Sequence, residues 1–199
     1  MSDAFFELVR SQRACRSFTD DPVPDELVER VLEAATFAPS AENRQPWVFV
    51  VIRDPAIRDR IGELTRAAWD AGGRAFAEHR LEASLLADVD RGATGGISAA
   101  PVLVVVGADL ERCLEATVAS SIFPAVQNLL LAAGALGLGS ALTTLTTAHA
   151  DELRALVALP DHVQPIAVVP LGHPTKPLAP PRREPVSEHA HRDRFGRRW

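Results

Sequence analysis

Apolar residues recur at helical spacing from Ala4 to Arg13. They do so again from Pro24 through Ala38, where Asp21, Pro22, Val23, Pro24 and Asp25 supply start signals, so two N-terminal amphipathic helices are predicted. The run Trp47 to Ile52 (WVFVVI) is short, β-branched and aromatic, and turn formers bound it at Pro46 and at Arg53 to Pro55, as expected of a buried strand. Asp54 is placed to cap a further helix. Residues 56–90 are polar, alanine-rich and helix-prone, with a break at Gly72 and Gly73, and lead into a glycine-rich loop from Arg91 to Ser98. A second strand, Val102 to Val106, precedes a long helix whose stretch Ala125 to Leu136 is apolar around most of its circumference. Pro124 lacks an amide proton, so that helix either starts there or kinks there. Gly137 to Ser140 reads as a tight turn into a third strand, Ala141 to Leu145. Asp151 to Leu159 reads as a short helix and Gln164 to Leu171 as a fourth strand, ended by Gly172, His173 and Pro174. From Lys176 onward, Pro177, Pro180, Pro181 and Pro185 favour an extended tail.

Helices first, then strands separated by helices, imply an α+β layer fold, and 199 residues without repeats or a linker imply one domain. The net charge of −5, with acids and bases interspersed, provides no basic face and argues against nucleic acid as a partner. The opening residues carry acids and no continuous apolar core, so they read as a helix and not as a signal peptide. No apolar run is expected to be long enough to span a bilayer, and no membrane partner is expected. Cys15 and Cys113 lie far apart without ligand spacing, which suits a reducing cytoplasm.

Two segments carry candidate chemistry. In Gln12 to Phe18 (QRACRSF), Arg13 and Arg16 stand three apart at a helix end, where two guanidiniums can clamp a phosphate by forked, charge-assisted bonds. The same arginines also complement a helix dipole in solvent. In Ala38 to Trp47 (APSAENRQPW), Ser40, Asn43 and Gln45 bring hydrogen-bonding groups to a loop between a helix and a strand; such loops either bind ligands or cap their own backbone. GALGLG follows a helix and precedes a strand, the reverse of a dinucleotide fingerprint. The histidines are scattered, and no metal site is expected.

An arginine-rich RxxRxF segment, then PVP, then a helix running into APSxxNxQPWxFVV resembles the opening of the nitroreductase family. The resemblance continues through ALGLGS at 135–140 and VVPLGHP at 168–174 to a basic tail containing Arg183. It implies a nitroreductase-like α+β fold: a mostly antiparallel sheet of about four strands flanked by helices, with residues 66–98 as a lid and residues 175–199 as an extended tail completing a partner subunit. It implies FMN at the interface of a homodimer. Arg13, Arg16 and Arg183 would contact the phosphate, while Gln12 and Ala14 stand where the family has a basic residue and a serine. Pro39, Ser40, Ala41 and Asn43 would reach the flavin of the other subunit. Leu138 and Gly139 would lie at flavin N5, with Thr144 and Thr146 on the strand beyond. The activity implied is a ping-pong transfer from NADH or NADPH to an electron-poor small-molecule acceptor such as a nitroaromatic or quinone, the cofactor supplying the redox chemistry. A flavin-binding storage or sensing module, reductive dehalogenation and flavin fragmentation are the alternatives.

Overall fold

The centre of the molecule is a strand with apolar side chains on both faces. In the computed structural model, which describes residues 2–199, this strand (β2, Val102–Asp109) pairs antiparallel with β1 (Trp47–Ile52) on one side and β4 (Val163–Gly172) on the other. The two-residue β3 (Gly139–Ser140) completes the sheet order β1-β2-β4-β3. Every pairing is antiparallel, as the sequence led us to expect of a mostly antiparallel four-stranded sheet.

The pleat of β2 explains its unbroken hydrophobicity. Val102, Val104 and Val106 face one helical layer, formed by α2 (Asp25–Thr36) and the long α-helix Glu115–Ala135. Leu103 and Val105 face the other, where Ile61 and Leu64 of α3 (Pro55–Ala68) and Leu153 of the helix Ala150–Leu156 pack. Asp54 caps α3, its Oδ1 accepting the amides of Ala56 at 2.8 Å and Ile57 at 3.2 Å. The first helix, α1 (Ser2–Ser11), rests on the long helix with Phe5 and Phe6 largely exposed.

Between α3 and β2 the chain builds a small helical subdomain. Helices α4 (Arg74–Glu78) and α5 (Ala83–Arg91) stand between two π-helical turns, Trp69–Gly73 and Gly92–Gly96. Each turn ends in a glycine pair whose first member has positive φ, 155° at Gly72 and 144° at Gly95, a conformation that requires glycine. Trp69, Ala77 and Ala93 form its own small core, and Trp69 Nε1 donates to Asp90 Oδ1 at 2.9 Å. The helices that follow in chain order are α6 (Glu115–Ala135) and α7 (Ala150–Leu156).

Several expectations need correction. The predicted loop from Arg91 to Ser98 is instead a half-buried helical turn. Its glycines admit Arg16, because a Cβ at Gly92 would lie 2.7 Å from Arg16 Cδ and one at Gly96 would overlap the Arg16 carbonyl oxygen. The predicted strand from Ala141 to Leu145 reduces to one bridge, Thr143 with Val168. The Thr143 hydroxyl accepts the Leu145 amide at 3.3 Å and turns the chain into a 3₁₀ helix, Leu145–His149, a local alternative that threonine offers its backbone. The reading of Pro124 as a helix start is overturned: α6 begins nine residues earlier at Glu115 and carries Pro124 inside it. Helix α6 is also long and apolar enough to cross a membrane by length and composition, contrary to expectation; its buried residues pack against the sheet and α2. In the tail, the proline-rich stretch lacks regular structure, but a 3₁₀ turn at Val186–Glu188 and a bridge between His191 and Arg198 follow it.

Candidate functional site

The segment Ala14 to Phe18 runs along the open edge of the sheet. It is tied there by a bridge from Ala14 to Ser140, by the Cys15 amide donating to the Ser140 carbonyl at 2.8 Å, and by a bridge from Phe18 to Pro174. The approach is close: a Cβ on Gly139 would lie 2.7 Å from Cys15 Sγ. This fixes Arg13 and Arg16 at the mouth of a cleft of about 280 Å³, whose other walls are Asp88 and Arg91 of α5 and the start of the tail, Thr175 to Ala179. The tail is held over the segment by the Thr175 amide on the Ser17 carbonyl and by Arg13 Nη1 on the Ala179 carbonyl, each at 3.2 Å.

The cleft is cationic. Arg13, Arg16, Arg91 and Lys176 line it with one carboxylate, Asp88. Burial pushes the Arg16 guanidinium below its ordinary pKa, and the charge of Asp88 is the largest influence opposing that shift. Burial likewise pushes the Cys15 thiol up, against a hydrogen bond with the Ser17 backbone and the charge of Arg16.

Two neighbouring recesses adjoin it. Gln12 and Arg183 line a cleft of about 590 Å³ with Val9, Arg10, Gln127, Pro180 and Pro181. Arg16 and Thr144 border a cleft of about 270 Å³ beneath the α4–α5 subdomain, walled by Trp69, Phe76, Val89 and Leu142. The fold thus groups Gln12, Arg13, Ala14, Arg16, Thr144 and Arg183 around one edge of the molecule.

The remaining sequence-predicted residues lie elsewhere or are otherwise engaged. None of Pro39, Ser40, Ala41 and Asn43 lines the arginine cleft; Ala41 instead borders a cavity with Arg44, Cys113 and Thr117. Their loop is docked on α6 by the Ala41 amide, which donates to Ser121 Oγ at 3.1 Å. Ser40 Oγ accepts the Gln45 amide at 3.0 Å, so the self-capping reading holds for that side chain. Glu42, Asn43 and Gln45 all have positive φ, a concentration of backbone strain of about 1–3 kcal/mol per residue. The Leu138 amide donates to Ala133 at 2.9 Å, closing the end of α6, and the close approach at Gly139 is made by Cys15. Thr146 is fully buried with its hydroxyl 2.8 Å from that of Thr65, a packing role.

Sequence reasoning missed Asp88, Arg91 and Lys176. The first two lie where the helix-prone stretch 56–90 meets the expected glycine-rich loop, and nothing local reveals that this junction lies beside the arginines. Lys176, next to a proline in the basic tail, could have been found by asking which tail cation follows the last strand most closely.

An antiparallel sheet between two helical layers, with a cationic cleft at its edge, defines the α+β class of the protein. Comparison with known proteins then identifies the lineage. The Nitroreductase family profile matches residues 9–173. An NADH dehydrogenase of Thermus thermophilus is 31% identical over 211 aligned positions, covering 88% of this chain and 89% of that protein. Iodotyrosine deiodinase 1 of Homo sapiens is 26% identical over 196 positions, covering 94% of this chain and 68% of the other. A nitroreductase-type protein of Desulfovibrio desulfuricans, solved in complex with FMN, superposes with a TM-score of 0.73 at 30% identity, covering 96% of each chain. The chain belongs to the nitroreductase family and is an oxidoreductase.

Proposed function

We propose that the protein is an FMN-dependent oxidoreductase that passes electrons from NADH or NADPH to an electron-poor small molecule, a nitroaromatic or a quinone. The observation that carries this reading is the cleft between the RACRSF segment and the tail, where four cations surround a space of about 280 Å³. That donor set fits a phosphate monoester, because guanidinium forks and an ammonium satisfy its oxygens with charge-assisted bonds. Its likeness to a relative solved with FMN supports the choice of ligand.

Arg13, Arg16 and Lys176 would hold the phosphate, with Gln12, Ala14 and Arg183 at its rim. FMN, when bound, supplies the exchange of electrons with donor and acceptor; the chain's task is to orient it and to admit the two substrates in turn. Cys15 lines the arginine cleft with Gly139 packed against it, and the recess bordered by Thr144, Trp69 and Phe76 offers an apolar wall to a flat acceptor. Residues 66–98 act as a lid on a single domain. Pro39, Ser40, Ala41 and Asn43 line no part of the arginine cleft in their own chain, so they reach a flavin only across a homodimer. The exposed Phe5, Phe6 and Phe37 supply apolar surface for that contact.

The similarity to iodotyrosine deiodinase 1 favours a second reading, in which the acceptor is a halogenated aromatic that leaves reduced and dehalogenated. A visible spectrum of the purified protein, followed by anaerobic titration with NADH and NADPH and turnover with nitroaromatic, quinone and halophenol acceptors, tests both. Failure to take up FMN ends the first proposal, and selective turnover of the halophenol replaces it with the second.

A further inference from the structure

The cation cluster already holds an anion of its own. Asp88 projects from α5 into the cleft, with Oδ1 2.7 Å from Arg91 Nη1 and Oδ2 4.0 Å from Arg13 Nη2. Arg91 is its neighbour three residues along the same helix and would suffice for an ordinary surface pair. The reach to Arg13 is different in kind, because it joins the lid to the N-terminal segment across the cleft. Arg16, from that same segment, lines the cleft beside Asp88 and feels its charge.

A carboxylate offers a guanidinium the same pair of oxygens that a phosphate does, so the two are interchangeable partners for one fork. They cannot share it without cost, since two anions within a few ångströms of each other repel. Resting on the reading of this cleft as the phosphate site, we propose that Asp88 is a stand-in anion. It neutralises the arginines while no phosphate ester is bound, competes directly with the FMN phosphate for them, and so sets the affinity for the cofactor.

Two features make the exchange feasible. The Arg13 and Asp88 side chains are 39% and 38% exposed, so their pairing is weak enough to give way to a doubly charged ligand. Asp88 also keeps an ion pair to Arg91 on its own helix, so a carboxylate displaced from Arg13 is not left unpaired. Cofactor uptake and lid position are then one equilibrium, because the phosphate that takes the arginines also releases the lid's hold on Arg13.

The test compares the parent protein, Asp88→Asn and Asp88→Glu, each stripped of flavin and titrated with FMN and with riboflavin by fluorescence quenching. Thermal melts of the stripped proteins are recorded in parallel. Asp88→Asn is expected to bind FMN roughly five- to tenfold more tightly, with riboflavin affinity unchanged, while the stripped variant melts at a lower temperature than the parent. Asp88→Glu, which keeps the charge, is expected to stay within about twofold of the parent. A merely structural aspartate would lower flavin-free stability and FMN affinity together. Unchanged or weaker FMN binding by Asp88→Asn overturns the proposal, and so does equal tightening for riboflavin. If no variant binds FMN, the functional reading falls, and inorganic phosphate decides the role of Asp88. A larger phosphate-induced rise in melting temperature for Asp88→Asn than for the parent upholds it, and an equal rise refutes it.

Discussion

Arg16 concentrates most of what the site does at the scale of single residues. Its guanidinium gives up solvent, its carbonyl is overhung by Gly96, and its side chain lies against Gly92, so the segment proposed to bind phosphate also packs against the α4–α5 subdomain. Arg16→Ala is expected to weaken FMN binding by about tenfold to a hundredfold, the loss of a charge-assisted bond worth about 1.5–3 kcal/mol, as read by fluorescence titration. Gly96→Ala places a methyl group on backbone that cannot step aside, and is expected to cost about 1–3 kcal/mol in a urea melt. Cys15 gives a pH signature. Its thiol is held above its usual range in the folded state, so the stability it contributes is complete below the ordinary thiol pKa and declines from about pH 8.5 upward, as the unfolded chain ionises first. Urea melts from pH 7 to 10 should show that decline in the parent and a flatter alkaline limb in Cys15→Ala. Arg13 and Arg16 were legible because their spacing and helix-end position are local. Asp88 was not, since the meaning of a carboxylate on an amphipathic helix depends on what the helix closes against. Thr146 misled in the opposite direction, its hydroxyl being spent on Thr65 inside the core.

Elements were most readable where a single local cause decided them. WVFVVI is β1 to the residue, and Asp54 caps α3 as its position before Pro55 suggests. Asp54→Ala is expected to cost about 1 kcal/mol in a urea melt and to leave FMN affinity unchanged, since the cap lies outside the cleft. The third strand failed because β-branched threonines score as strand while their hydroxyls favour a turn. Pro124 shows the limit from the other side: a helix fixed by Val118, Ile122, Val126 and Leu129 against the sheet tolerates one missing amide bond. The glycine-rich stretch at 91–98 looked like a loop because glycine content does not distinguish freedom from close packing. Here it means close packing.

For the molecule as a whole, the α+β arrangement followed from element order, whereas the exposed phenylalanines of α1 did not stand out, because α1 reads as an ordinary amphipathic helix. Phe5 and Phe6, 59% and 52% exposed, are apolar surface that a second copy would cover. Light scattering is expected to give twice the 21.4 kDa of one chain, and the double substitution Phe5→Asp, Phe6→Asp to shift it toward the monomer with loss of bound FMN. The placement of the α4–α5 subdomain has a broader implication. Strands β1 and β2 are direct neighbours, Ile52 opposite Leu103, so the α4–α5 subdomain that follows the core helix α3 sits within an enlarged hairpin connection pinned at both feet. Changing the length of such a connection costs only a logarithmic increment of chain entropy, about 0.6 kcal/mol per doubling. The exposed turns of this connection, such as that between α4 and α5, can therefore be lengthened or shortened while the sheet stays as it is, so descendants of one scaffold can diverge in diet without refounding the fold.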